Sequence, residues 1–285
     1  MSTSPHDPLS PLPPSSRLRL ARTLFKRRAP VGGPIEASFR LARIELDHVR
    51  RYNAAFGFPG SAIPLTYLYL LAQRAQLATM LARPLPFRIP GLIHVDNALA
   101  IHGEIRPEAP LVLHTTVGLP PPAGNGALLC VLATRAFDGE QLVFSCDSTY
   151  LVKRGARTPR HSPAPAPVPG SELGSWTLEA DAGRRYAALS GDWNPIHLWR
   201  WSARLMGLRA PIIHGMHTVA MACAHWQRIS GKPAAALACR FKRPVPLGAR
   251  VTLSGAAGPS RLTAVCNGRP AVECTIGMHS SASLV

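Results

Sequence analysis

Acidic residues are scarce: 15 Asp and Glu stand against 32 Lys and Arg, a formal net charge of +17. Total charge is only 16%, below the usual ~25%, so the surplus comes mainly from missing acids. Aromatic residues are 6% of the chain and no nucleic-acid motif is recognisable, so a base-stacking platform is not evident. No apolar run approaches the ~18 residues that span a bilayer, and there is neither a collagen period nor a sustained heptad. The six cysteines (Cys130, Cys146, Cys223, Cys239, Cys266, Cys274) include no CxxC pair. A chain of this length has no need of disulfides, and no secretory signal is evident. The thiols are therefore expected to be reduced and mostly buried, in a cytoplasmic protein. The charge leaves nucleic acid, an anionic membrane and a phosphate-bearing small molecule open as partners.

What is present is a globular composition, 46% hydrophobic, with an unusual 29 prolines in 285 residues. At roughly 100–200 residues per domain this is two domains or one large one, long enough for a sizeable core. Residues 1–34 read as a basic, disordered tail. Within it, Arg17 to Arg28 carries six basic residues among Leu18, Leu20, Leu24 and Phe25. That segment is a solvated arm, or a short amphipathic helix able to touch an anionic membrane; its composition also leaves an organelle transit peptide open. A Pro/Ala-rich linker at 154–173, extended by its prolines, separates two parts, 35–153 and 174–285.

The two parts repeat one plan. Each has a helix, Pro64–Leu81 or Gly215–Ile229, followed by four strand-like runs. These fall near 91–102, 109–118, 126–136 and 141–152, then near 234–243, 248–256, 260–266 and 270–279. A further strand opens each part, near 35–46 and 175–180. Asp138-Gly139 and Asn267-Gly268 supply hairpin signals of the type I′ kind. Both helices are apolar over much of their circumference, which marks them as buried. The expected class is α+β: an antiparallel sheet wrapped around a central helix, twice.

The chemistry-bearing stretch runs from Tyr186 to Ala220. A short helix, with Asp181 placed to cap it, ends at Ser190-Gly191-Asp192, and Asn194-Pro195 forces a break. Across that break Asp192 and His197 can point into one pocket, where a carboxylate orients an imidazole and the pair activates water. Downstream, Gly215 opens the long helix. Glycine allows close approach, and the first-turn N–H groups suit a developing negative oxygen. Base, water site and anion hole together meet the needs of reversible water addition to an activated double bond.

The run Tyr186-Ala187-Ala188-Leu189-Ser190-Gly191-Asp192-Trp193-Asn194-Pro195-Ile196-His197, followed by Ala203, resembles the signature of the MaoC-like dehydratases, which include the (R)-specific enoyl-CoA hydratases. Ile213-His214-Gly215-Met216 and Phe241-Lys242-Arg243-Pro244-Val245-Pro246-Leu247-Gly248 are similar to the family's downstream segments. The resemblance implies a tandem hot-dog fold with a degenerate first copy. There Arg50 to Gly60 has no Asp…Asn-Pro…His, and Pro64-Leu65 stands where the second copy has His214-Gly215. That copy would make room for a larger acyl chain.

By the same resemblance, Asp192 and His197 hold and activate water, the Gly215 N–H binds the thioester oxygen, and Asn194 shapes the site. Ser190, Gly191, Ile196, His214 and Met216 line or shape the substrate site, and Tyr186 packs. The implied reaction is hydration of trans-2-enoyl-CoA to (3R)-hydroxyacyl-CoA, with no cofactor beyond the coenzyme A of the substrate. An acidic acyl carrier protein is the alternative carrier; a hot-dog thioesterase and a non-catalytic basic binding module are the weaker readings. Nucleic acid is not expected as a partner, and the chain would be a monomeric double hot dog or a homodimer.

Ordinary structural duties compete for several of these residues. A lone Asp at a helix end is usually a cap and a lone His usually packs; their joint occurrence favours catalysis. Gly215 and Asn194 also serve as plain turn residues. His214, His217 and His225 suggest a metal by type, but no Cys or acid completes a set beside them in sequence, and no metal is expected. Trp193, Trp199 and Trp201 either line an acyl pocket or cover the helix–sheet seam, the latter preferred for Trp199 and Trp201. Arg240, Lys242 and Arg243 either meet coenzyme A phosphates or form a solvated basic face.

Overall fold

The computed structural model describes residues 9–14, 33–89, 91–153, 170–255 and 261–277. The basic segment 17–28 and linker residues 154–169 lie outside the described residues. The first half runs β1 (Ile35–Leu41), α1 (Leu46–Phe56), α2 (Leu65–Ala82), β2 (Ile93–Ile101), β3 (Leu111–Gly118), β4 (Leu128–Asp138) and β5 (Gln141–Lys153). The second runs β6 (Ser171–Thr177), α3 (Ala182–Ser190), a 3-10 turn (Pro195–His197), α4 (Arg200–Leu205), α5 (Gly215–Ser230), β7 (Ala236–Phe241), β8 (Arg250–Gly255), β9 (Arg261–Cys266) and β10 (Arg269–Gly277).

All ten strands form one antiparallel sheet in the order β1-β3-β4-β5-β2-β7-β10-β9-β8-β6. Numbered within its own half, each set of five has the same order, mirrored about the β2–β7 seam. At that seam Asp96 pairs with Arg240, Ala98 with Ala238 and Ala100 with Ala236. This is the twice-repeated sheet around a helix that the element order predicts, and the double hot dog that the resemblance implies. Strict alternation of buried and more exposed residues in β3, β8 and β9 puts one face of the sheet on the helices. α2 is buried nearly all round. Two of its buried polar side chains donate: Gln76 Nε2 to the Leu132 carbonyl (3.2 Å) and to Ser148 (3.1 Å), and Thr79 to the Ala75 carbonyl (2.8 Å). All six cysteines are buried and unbridged. Burial pushes the thiols of Cys130 and Cys223 up to about 12.

Several expectations are corrected. Residues 9–14 do not belong to a disordered tail. Arg40 takes and gives backbone bonds along the β1 edge (Leu12 N–H to Arg40 carbonyl 2.7 Å, Arg40 N–H to Ser10 carbonyl 2.9 Å), and Leu12 enters the core. Linker residues 171–173 are already in β6. The first hairpin turns at Gly139-Glu140, because Asp138 and Gln141 still pair. Only Gly139 has positive φ there, the pattern of a type II′ turn, whereas Asn267 and Gly268 are both positive as type I′ requires. Asp181 sits at the α3 N-cap without a capping bond; its carboxylate pairs with Arg185 (3.3 Å) instead. Helix α1 was not anticipated, although Val49, Tyr52, Asn53 and Phe56 bury one face at helical spacing.

Candidate active site

The site is assembled by the 23 residues 192–214 between α3 and α5. α3 ends on Gly191, whose left-handed backbone (φ 76°) turns the chain out of the helix. Ser190 clamps that turn: its hydroxyl donates to the Tyr186 carbonyl (2.9 Å) and accepts from the Asp192 N–H (3.2 Å). Two short side-chain bonds then fold the loop. Asp192 Oδ1 accepts from the Asn194 N–H (3.1 Å), and Asn194 Oδ1 accepts from the Ile196 N–H (3.3 Å), capping the 3-10 turn with Pro195 at its start. Tight turns thereby bring together two residues that a straight helix would point apart.

His197 Nδ1 donates to the Ile212 carbonyl (2.8 Å), which leaves Nε2 as the acceptor nitrogen. His214 Nε2 donates to the Asp192 carbonyl (2.9 Å), and the two imidazoles stack with centroids 3.7 Å apart. Burial lowers the pKa of His197; the Asp192 charge and the Ile212 bond oppose it in part. His214 lies well below the ordinary range, from burial and from His197 beside it. Both rings are therefore neutral at neutral pH, and His197 is set to accept a proton. One donor atom from each of Asp192, His197 and His214 lies within 4.8 Å of the others. By type and spacing this trio, and not the His214/His217/His225 set, is the one able to hold a metal ion among the described residues.

Gly215 opens α5, where helix geometry leaves the first N–H groups without intrahelical partners. A Cβ there would lie 2.5 Å from the Phe241 ring, so β7 closes the far wall of this position. A Cβ on Gly183 of α3 would overlap the His197 carbonyl oxygen. That glycine is a further requirement of the site which its sequence context does not reveal. The first half also contributes: Gln73 of α2 donates from Nε2 to Asp192 Oδ2 (3.1 Å). Nothing local to Gln73 signals a contact 119 residues away.

The remaining expected site residues fall in several places. Met216 is core, 3% exposed, and Ile196 is half-buried on the 3-10 turn. Ser190, Gly191 and Asn194 shape the loop. Arg240, Lys242 and Arg243 have the protein partners Asp96 (2.8 Å), Glu273 (2.9 Å) and the Pro270 carbonyl (3.0 Å). His217 packs edge-on against Phe56 and Tyr186, and His225 donates to the Met221 carbonyl. Trp199 and Trp201 do not cover the helix–sheet seam. They are 40% and 63% exposed and stack on each other beside exposed Leu205 and Met206.

Comparison with known proteins gives a consistent picture. A profile of the MaoC like domain matches residues 161–261. The chain is 30% identical over 224 residues to 3-hydroxyacyl-thioester dehydratase X of Mycobacterium tuberculosis, covering 75% of this chain and 78% of that one. It is 25% identical over 207 residues to mouse peroxisomal multifunctional enzyme type 2, of which it spans 28%. Among solved structures, HtdX of Mycobacterium tuberculosis superposes with a TM-score of 0.67 at 27% identity, over 84% of this chain and 98% of that one. A MaoC-like dehydratase from Phytophthora capsici gives 0.68 at 19% identity, over 88% and 98%.

Proposed function

The chain belongs to the MaoC-like dehydratases, hydro-lyases of acyl thioesters, and from that membership we propose that it interconverts a trans-2-enoyl-CoA and the (3R)-hydroxyacyl-CoA. The observation that carries this reading is the placement of the Asp192 carboxylate within 4.8 Å of a buried His197 whose Nδ1 is already committed to Ile212.

Water held between Asp192 and His197 gives one proton to this pair as its oxygen bonds to C3 of the enoyl group. The C2–C3 π electrons move toward the thioester, and the Gly215 N–H donates to the oxygen on which negative charge collects. C2 then takes a proton from the same pair on the same face, so addition is syn and the pair returns to its starting state. Dehydration is the reverse. Asn194 holds the loop through its cap on Ile196.

Two observations bear on the carrier. A cleft of about 1110 Å³ in the first half is lined by Arg40 and Arg51, with Arg43 paired to Glu45 and Arg74 bound to the Leu12 and Pro13 carbonyls, and its basic lining favours a phosphate-bearing carrier. The exposed Trp199–Met206 patch lies two residues beyond His197, and Arg200, Arg204 and Arg209 run through and beside it with no acid between. That patch favours a second reading, in which the thioester arrives on an acidic carrier protein.

The test is hydration of short and long enoyl-CoA substrates by the wild type and by Asp192→Asn. The expected result is turnover by the wild type and a loss of about 10²–10⁴-fold in the variant. A wild type inactive on every thioester refutes the substrate class, and a fully active variant refutes the site. A Trp201→Ala variant slower only on carrier-protein thioesters selects the second reading.

A further inference from the structure

The degenerate half is the part of the molecule from which the proposed chemistry asks least, yet it places one polar side chain on the catalytic carboxylate. Gln73 Nε2 lies 3.1 Å from Asp192 Oδ2, while Oδ1 of the same carboxylate accepts from the Asn194 N–H. An ionised carboxylate only accepts, so the Gln73 amide must present its nitrogen to Asp192, and its Oε1 is turned away as an acceptor. That Oε1 is buried and takes no hydrogen bond from any described residue. Unsatisfied buried amide oxygens are costly, and at an active site they commonly mark where a ligand or water donates.

Gln73 is framed by groups that serve the interior on either side. Gln76, one turn on, donates from Nε2 to Leu132 and Ser148 of its own half and, like Gln73, has a buried Oε1 with no partner among the described residues; Arg74 binds the Leu12 and Pro13 carbonyls. Gln73 reaches across to the second half with a side-chain bond to the catalytic loop.

We infer that Gln73 is a third member of the water-holding set: its Nε2 orients the Asp192 carboxylate, and its Oε1 accepts a hydrogen bond from the water that adds to C3, or from the 3-hydroxyl in the reverse direction. This rests on the hydratase reading. Water has two protons, and the role gives each an acceptor, one in the Asp192–His197 pair and the other in Gln73. The lone pair that attacks is then aimed by three side chains from both halves.

The experiment compares Gln73→Met, Gln73→Glu and Asp192→Asn with the wild type on one enoyl-CoA. Gln73→Met fills similar volume without donor or acceptor. The expected result is a kcat lower by about 10- to 100-fold with KM changed less than about threefold, and a folded protein by circular dichroism. Gln73→Glu sets a second carboxylate against Asp192, and one of the two must take a proton. Its activity should fall as pH rises through a range where the wild type is flat, and recover toward low pH, where a protonated Glu again donates to Oδ2. Once that shared proton is lost, the extra negative charge beside His197 should also raise its titration midpoint seen by proton NMR, a readout that needs no turnover.

Wild-type kcat and pH profile in Gln73→Met and Gln73→Glu overturn the inference while leaving the hydratase reading intact, provided Asp192→Asn is inactive. A lowered melting temperature with unchanged kcat overturns it equally. If no enoyl-CoA is turned over by the wild type, the hydratase reading fails, and an unmoved His197 midpoint in Gln73→Glu then overturns the placement of Gln73 separately.

Discussion

The two halves match closely up to one point in the chain and then part. In the first, α1 ends on left-handed Gly57, whose N–H returns to the Asn53 carbonyl; in the second, α3 ends on left-handed Gly191, whose N–H returns to Ala187. The tyrosine five residues earlier meets the long helix alike in both: Tyr52 on Tyr67 at 5.5 Å and 83°, Tyr186 on His217 at 5.6 Å and 84°. After the cap, the first half needs only residues 58–64 to reach its long helix, while the second uses 192–214. Buried Phe58 follows the first cap, and buried Leu65 stands where Gly215 opens α5. The difference teaches that the scaffold is common property and that the chemistry resides in the longer loop, to which the plain half extends a side-chain bond from Gln73.

The sharpest way to break this comparison is to disturb the loop from beneath. Gly183→Ala puts a methyl group on the His197 carbonyl oxygen, and backbone cannot yield as a side chain tip can. Expected is a loss of kcat near 10²-fold or more, with destabilisation of about 1–3 kcal/mol. Gly124→Ala in the first half, which meets nothing within 4 Å, should stay within about 0.5 kcal/mol of the wild type. Steady-state kinetics with urea melts of both variants decide it.

Next in size is Gly215→Ala, whose methyl meets the Phe241 ring at 2.5 Å. If the glycine serves oxyanion access, kcat falls about tenfold or more and Gly215→Ala/Phe241→Leu recovers stability without full activity. Full recovery of kcat in the double variant would make the glycine a packing requirement alone.

A smaller effect separates stability from catalysis. Burial lowers His94 to about 3 and His217 to about 4. Their folded values lie below the ordinary 6.5, so the unfolded chain binds more protons as pH falls. Stability is full above about 6.5 and is lost progressively from there toward 4. Melting temperature should therefore fall between pH 7 and pH 5, and His94→Phe should flatten that slope. An unchanged slope in His94→Phe would show that the histidine is not held neutral by its stack on Tyr150 and Tyr69. The smallest expected change is with a chelator. Asp192, His197 and His214 resemble a ligand set, but the mechanism needs only their proton chemistry, so turnover should be unaffected after EDTA dialysis.

Element order, the Asn267-Gly268 turn and the Asp192-to-His197 run were legible because each depends on residues close in sequence: period-two alternation, a glycine's φ, a proline's restraint. Helix α1 was legible in principle at Val49, Tyr52, Asn53 and Phe56, but its Arg-rich stretch masked the stripe. The partners of Arg240, the exposure of Trp201, the need for Gly183 and the reach of Gln73 were not legible. Each is a contact between elements distant in the chain or a matter of which face remains outside.

The amino-acid sequence by itself determined two copies of one helix-in-sheet plan, one of them carrying a turn rich enough in Asx side chains to fold an acid onto a histidine. Only the tertiary structure decided which tautomer that histidine holds, how far burial keeps it neutral, and that the copy without a motif lays Gln73 on the carboxylate. Local hydrogen bonds and backbone restraints act over a few residues and are written in order. Desolvation and cross-sheet contacts depend on what the whole chain excludes from water, and they exist only once both halves have closed on one another.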